Sequence, residues 1–136
     1  MSVDEMMVAY KGRSHLRQYM VKKITKWGFK LWAICDSVSG FCYYFEPYLG
    51  KRTRDQEKAD ENEGVPGVGE SVVWRLARKV PAPTLIVADN YFSSPNLARK
   101  LKCAGYDYLG TQRSSRKGYP KELLDLRGPV PPGKKS

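Results

Sequence analysis

Thr84-Leu85-Ile86-Val87-Ala88-Asp89-Asn90 is a continuous apolar run of strand length that stops abruptly at a carboxylate and an amide. Such a run suits a strand buried on both faces at the centre of a sheet better than an edge strand. The chain after it changes period. Ser94 followed by Pro95 is a helix start, a hydroxyl cap and then a proline at the first helical position. Leu97, Ala98, Leu101 and Cys103-Ala104 supply the buried stripe, Gly105 the stop, and Tyr106 to Thr111 another strand. Strand, helix and strand in this order form the unit of a parallel α/β arrangement.

Upstream, Val72, Val73, Leu76, Ala77 and Val80 recur at helical spacing while Arg75, Arg78 and Lys79 face away, and Pro81-Ala82-Pro83 ends the segment. Lys51 to Pro66 has few apolar residues and no periodicity, and reads as a solvated loop over 51–66. Trp27 to Cys35 alternates: Trp27, Phe29, Leu31 and Ala33 fall on one side, Gly28, Lys30, Trp32 and Ile34 on the other. The turn Asp36-Ser37-Val38-Ser39-Gly40 and the run Phe41 to Phe45 complete an antiparallel hairpin. Met6 to Tyr10 is a further short strand. The expected order is three strands, a helix, a strand, a helix and a strand, an α/β fold with a mixed sheet. Lys121 to Leu126 reads as a short helix, and 127–136 as a Pro/Gly/Lys-rich tail.

The chain has 136 residues, room for one domain, with 41% apolar residues and no run near the ~20 needed to cross a membrane. Asp4 and Glu5 near the start, without a charged-then-apolar leader, argue against a secretory signal. Cys35, Cys42 and Cys103 are odd in number and unrelated in spacing, and His15 is the single histidine. Zinc and a disulfide framework are therefore disfavoured, and reduced thiols filling the core are expected. No serine sits in a nucleophile-elbow sequence, and Gly67-Val68-Gly69 follows a loop and lacks the third glycine of a phosphate loop.

Lys and Arg number 24 against 14 Asp and Glu, a formal charge of +10. From Met6 to Cys35 there is no acid. Lys11, Arg13, Arg17, Lys22, Lys23, Lys26 and Lys30 are interleaved there with Tyr10, Tyr19, Trp27 and Trp32. Arg113, Arg116 and Lys117 open a second basic set. Cations that displace counterions from phosphates, beside rings that stack on bases, point to a nucleic acid as partner. The plainer alternative is a solvated, solubilising face.

Two carboxylates stand apart by position. Asp89 lies where the buried strand emerges, and ligands of open α/β sheets collect at the carboxyl ends of strands. Asp4 lies beside the first strand. If those strands are neighbours, both acids face one point, an arrangement that makes sense around a hard cation such as Mg²⁺ or Mn²⁺. Taken alone, Asp89 is an ordinary helix-entry cap and Asp4 a surface acid. Asp36 belongs to its turn, and Glu122 and Asp125 to a solvated helix face.

An ordered series of short matches extends from Val3-Asp4-Glu5 to about Leu124. It includes Lys11-Gly12-Arg13, Arg17-Gln18-Tyr19-Met20, Lys26-Trp27-Gly28-Phe29-Lys30-Leu31-Trp32 and Cys35-Asp36-Ser37. Tyr48-Leu49-Gly50-Lys51, Gly67-Val68-Gly69-Glu70, Ala88-Asp89-Asn90-Tyr91-Phe92-Ser93-Ser94, Gly110-Thr111-Gln112-Arg113 and Arg116-Lys117-Gly118-Tyr119-Pro120 follow. The series resembles the catalytic domain of piggyBac-type transposases. That resemblance implies a ribonuclease-H-like fold over 1–126, a DDD site that cuts and joins DNA with Mg²⁺, and a nuclear location. By motif Asp4 matches the first aspartate and Asp89 the second. No residue after Asp89 matches the third, Val21 and Ile24 stand where prolines are usual, and Ala88 replaces the usual residue before the second aspartate. The resemblance thus implies a partial transposase domain, truncated before its last helix and inactive by itself, with weak metal binding. A domesticated, non-catalytic DNA-binding module is the alternative. Sheet surface left uncovered implies marginal stability or self-association.

Overall fold

The computed structural model describes residues 1–125; the expected 127–136 tail lies outside them. Ten elements follow in order: β1 (Ser2–Ala9), β2 (Gln18–Tyr19), β3 (Trp27–Cys35), β4 (Cys42–Pro47), α1 (Arg54–Asn62), α2 (Val68–Ala77), β5 (Leu85–Ala88), α3 (Pro95–Cys103), β6 (Asp107–Gly110) and α4 (Glu122–Asp125). The strands form one mixed sheet in the order β2-β3-β1-β5-β6, with β4 also on β3. β1 pairs β5 and β5 pairs β6 in parallel, whereas β1–β3, β2–β3 and β3–β4 pair antiparallel.

Pairing with β3 runs the full length of β1, from Ser2 opposite Cys35 to Ala9 opposite Gly28. The strand expected at Met6–Tyr10 therefore begins four residues earlier, because backbone pairing carries it through the polar Asp4 and Glu5. On β3 it is the Trp32 and Ile34 side that is buried. These two join Val3, Ile86 and Ala88 from the sheet with Val72, Val73, Leu76, Leu97 and Leu101 from α2 and α3 in one core. Ser94 caps α3 as expected, its hydroxyl accepting from the Leu97 N–H at 3.0 Å.

The segment expected as a 51–66 loop contains α1. None of its residues is buried, so apolar periodicity could not announce it. Its helix signal is local: Thr53 accepts from the Gln56 N–H while the Gln56 side chain accepts from the Thr53 N–H. Charge ties it to the body. Asp60 pairs with Arg52 and with Arg75 of α2 at 3.5 Å, and Arg75 reaches Glu46 of β4 at 3.0 Å. The thiols do not fill the core: Cys42 and Cys103 are exposed and Cys35 is half-buried.

The opposite face of the sheet carries Met6, Val8, Phe45, Leu85 and Leu109, which are 42 to 61% exposed. Alternation from Asp4 and Val87 places all five on that side. The expectation of uncovered sheet surface is met among the described residues.

Candidate functional site

β5 ends at Ala88 while β1 continues to Ala9. Among the described residues, the edge of β1 that faces β5 therefore has no strand beside it beyond Val3, and a crevice of about 270 Å³ opens there. Asp4, Glu5, Met20, Lys30, Asp89, Tyr91 and Phe92 line it. Val3 is registered with Ala88, so Asp4 of β1 and Asp89, the first residue past β5, directly follow a paired position of two adjacent parallel strands. The structure brings the two acids to one place although 85 positions separate them in sequence.

The turn after β5 fixes Asp89. Its carboxylate accepts from the Tyr91 N–H at 2.8 Å, and its carbonyl accepts from the Ser93 hydroxyl at 2.8 Å. Asp4 accepts from the Glu5 N–H at 2.7 Å through one oxygen. Neither acid forms an ion pair with a described residue, and both are exposed. Two uncompensated carboxylates converging on one crevice repel each other unless a cation lies between them. The donor chemistry, hard carboxylate oxygens with room for water, fits Mg²⁺, which is commonly held by one or two carboxylates and completed by water and phosphate. No group of three or more His, Cys, Asp or Glu side chains placed to hold a metal ion occurs among the described residues.

Glu5 was invisible as a site residue in the sequence. Strand alternation turns it to the opposite face from Asp4, where its carboxylate meets Lys30 at 3.0 Å and Lys23 at 3.6 Å. Only the β1–β3 register, which sets Glu5 beside Trp32, predicts that pairing.

The structure divides the ten cations singled out in the sequence. Lys11, Arg13, Lys22, Lys26, Arg113 and Lys117 are exposed. Lys23 and Lys30 are committed to Glu5. Arg17 lies 4.6 Å over the Trp27 ring and donates to the Gly12 carbonyl. Arg116 donates to the Asn90 and Tyr91 carbonyls at 2.9 and 3.0 Å, bracing the turn that follows Asp89. Behind that turn, Ser93 and the Tyr108 hydroxyl are 2.6 Å apart. Burial pushes the Tyr108 phenol above its ordinary range, and the Asp89 charge adds to this, partly offset by Ser93 and Arg116.

A family model described as Transposase IS4 matches residues 1–135. The human PiggyBac transposable element-derived protein 3 is 31% identical over 116 residues, 82% of this chain. The chain belongs to the piggyBac-type transposase family. The human Chimeric ERCC6-PGBD3 protein is 31% identical over the same length of alignment. A piggyBac transposase solved by cryo-EM as a synaptic complex with hairpin DNA superposes with a TM-score of 0.73 at 30% identity, over 95% of this chain. The transposase domain seen here thus has the ribonuclease-H-like architecture its sequence resemblance implied. It spans 18% and 10% of the two human relatives and 26% of the solved chain.

Proposed function

We propose that this chain supplies the first two carboxylates of a divalent-cation site, and a basic flank for DNA, to phosphodiester cleavage and strand transfer by a piggyBac-type transposase. One observation carries the reading: Asp4, within β1, and Asp89, just past the end of the neighbouring parallel strand β5, line one crevice. Mg²⁺ or Mn²⁺ at that place supplies a polarised oxygen nucleophile and charge neutralisation at the phosphate. The chain's own residues do the rest. Asp4 and Asp89 hold the cation, the Tyr91 N–H and Arg116 fix the Asp89 turn, and the exposed lysines and arginines position the strand by its backbone. Two carboxylates leave more cation charge uncompensated than three, so binding is weak and the chain alone is inactive or nearly so.

The test is nicking of supercoiled plasmid by purified chain with Mn²⁺, beside Asp89→Ala. The expected result is no nicking above the variant. Robust nicking that Asp89→Ala abolishes overturns the inactivity, and nicking that survives it overturns the site. The exposed set Lys11, Arg13, Lys22, Lys26, Arg113 and Lys117 favours a second reading, a non-catalytic DNA-binding module. That module tolerates Asp4→Asn and Asp89→Asn without loss of affinity. With DNA as its partner, a nuclear location belongs to this reading. The uncovered face bearing Met6, Val8 and Leu109 supports self-association, read as a sedimentation coefficient that rises with concentration.

A further inference from the structure

Cys35 ends β3 and Cys42 begins β4, and the two are direct partners across the hairpin. The register slips between Ile34 and Cys35, so that Ile34 faces Tyr44 while Cys35 faces Cys42, with Tyr43 the extra residue. That bulge decides the pairing. Without the extra residue, the Ile34–Tyr44 register would set Cys35 against Tyr43. Directly opposed residues in an antiparallel pair have Cα atoms about 4.5–5.5 Å apart, inside the range of about 4.4–6.8 Å that a disulfide spans. The sequence reading assigned these thiols to core filling, but Cys42 is exposed and Cys35 only half-buried. The third thiol, Cys103, is the last residue of α3, the helix that packs on β6 and α2.

We propose that Cys35 and Cys42 are a redox-active pair that closes to an intramolecular disulfide across the β3–β4 hairpin when it meets a low-molecular-weight disulfide such as oxidised glutathione. The exposed Cys42, as thiolate, attacks one sulfur of the oxidant and releases one glutathione thiolate. Cys35, as thiolate, then attacks the Cys42 sulfur of the mixed disulfide and releases the second. The pair loses two protons and two electrons, and the oxidant is reduced to two thiols. The order follows from access and from acidity, since burial and then Cys42 itself push the Cys35 thiol up. The closed form staples a hairpin already held by Asp36, which accepts from the Ser39 N–H at 2.9 Å, and fixes the strand that presents Glu46 to Arg75.

The test takes the full chain through graded ratios of oxidised to reduced glutathione, quenches with acid and an alkylating agent, and maps the peptides by mass. The expected result is a linked Cys35–Cys42 peptide, with the three free thiols reduced to Cys103 alone. Dithiothreitol reverses it, and Cys103→Ser leaves it intact. Separate glutathione adducts on Cys35 and Cys42, full alkylation of both where Cys103 has already reacted, or a link between two chains would each overturn it. Cys42→Ser removes the linked peptide. Should that variant fail to fold by circular dichroism, the map of the unaltered chain decides by itself.

Discussion

Asp4 on β1 and Asp89 just past the end of β5 each follow the Val3–Ala88 pair, and both side chains line one crevice. Each spends one oxygen on a neighbouring backbone N–H and pairs with no described cation. A cation held there should respond to either carboxylate. Asp4→Asn and Asp89→Asn are each expected to weaken Mn²⁺ binding by about tenfold or more, because affinity follows ligand charge. The double variant should not bind measurably. Water-proton relaxation of Mn²⁺ in titration with the chain reads this directly, and unchanged affinity in both single variants would remove the acids from the site.

The Asp89 turn is also set from behind by a glycine. Gly69 lies buried in the first turns of α2, and a Cβ there would sit 2.6 Å from the Tyr91 carbonyl oxygen and 2.9 Å from the Phe92 Cα. Both atoms are backbone, so nothing flexible can yield. Gly69→Ala would gain helix propensity, worth up to about 1 kcal/mol. The collision exceeds that gain, and a net loss of about 1–3 kcal/mol is expected, the usual cost of overpacking. Urea unfolding measures it. Mn²⁺ affinity should fall in the same variant as the turn is displaced, whereas Gly67→Ala, facing only the Glu70 side chain, should spare it.

These contacts show what a linear reading can reach. Leu85–Ala88, the Ser94–Pro95 helix start and the Asp36 turn were legible because each is decided within a few residues. Asp89 stood out because a buried strand ends at it. α1 was missed since Arg54–Asn62 buries nothing, although Thr53 and Gln56 spell a capping box. The pairing of Glu5 with Lys30 was beyond reach because it depends on the β1–β3 register, and charge counting had assigned Lys23 and Lys30 to DNA. The facing of Cys35 and Cys42 was hidden for the same reason, since it rests on a one-residue bulge. Resemblance, rather than periodicity, raised Asp4 from a surface acid to a candidate ligand.

The Tyr108 phenol connects the site to alkaline stability. Burial, with the Asp89 charge adding to it, raises its pKa above that of the unfolded chain, near 10 for an ordinary phenol. The folded form therefore keeps its proton to higher pH than the unfolded form. Its contribution is whole below about pH 10 and is lost as pH climbs through the folded value. Tyr108→Phe should flatten the alkaline fall in melting temperature above pH 10. At neutral pH it should cost about 1 kcal/mol for the lost contact with Ser93. An unchanged alkaline slope in the variant would show that other groups govern it.

The division of the cations makes the sharpest forecast for DNA binding. Lys22 and Lys26 are exposed, whereas the Lys30 side chain is 15% exposed and lies 3.0 Å from Glu5. A lysine that releases counterions from phosphate contributes about 0.9 to the slope of log affinity against log salt. Lys22→Ala and Lys26→Ala should each lower that slope by up to about 1 and leave thermal stability unchanged. Lys30→Ala should do the reverse. It leaves Glu5 in a partly buried place with only the longer Lys23 contact, so the melting temperature falls while the salt slope holds. Fluorescence anisotropy with a duplex at several salt concentrations, beside a thermal melt, separates the two. A Lys30 variant that melts normally but loses a unit of slope would mean that its ion pair opens to take the phosphate.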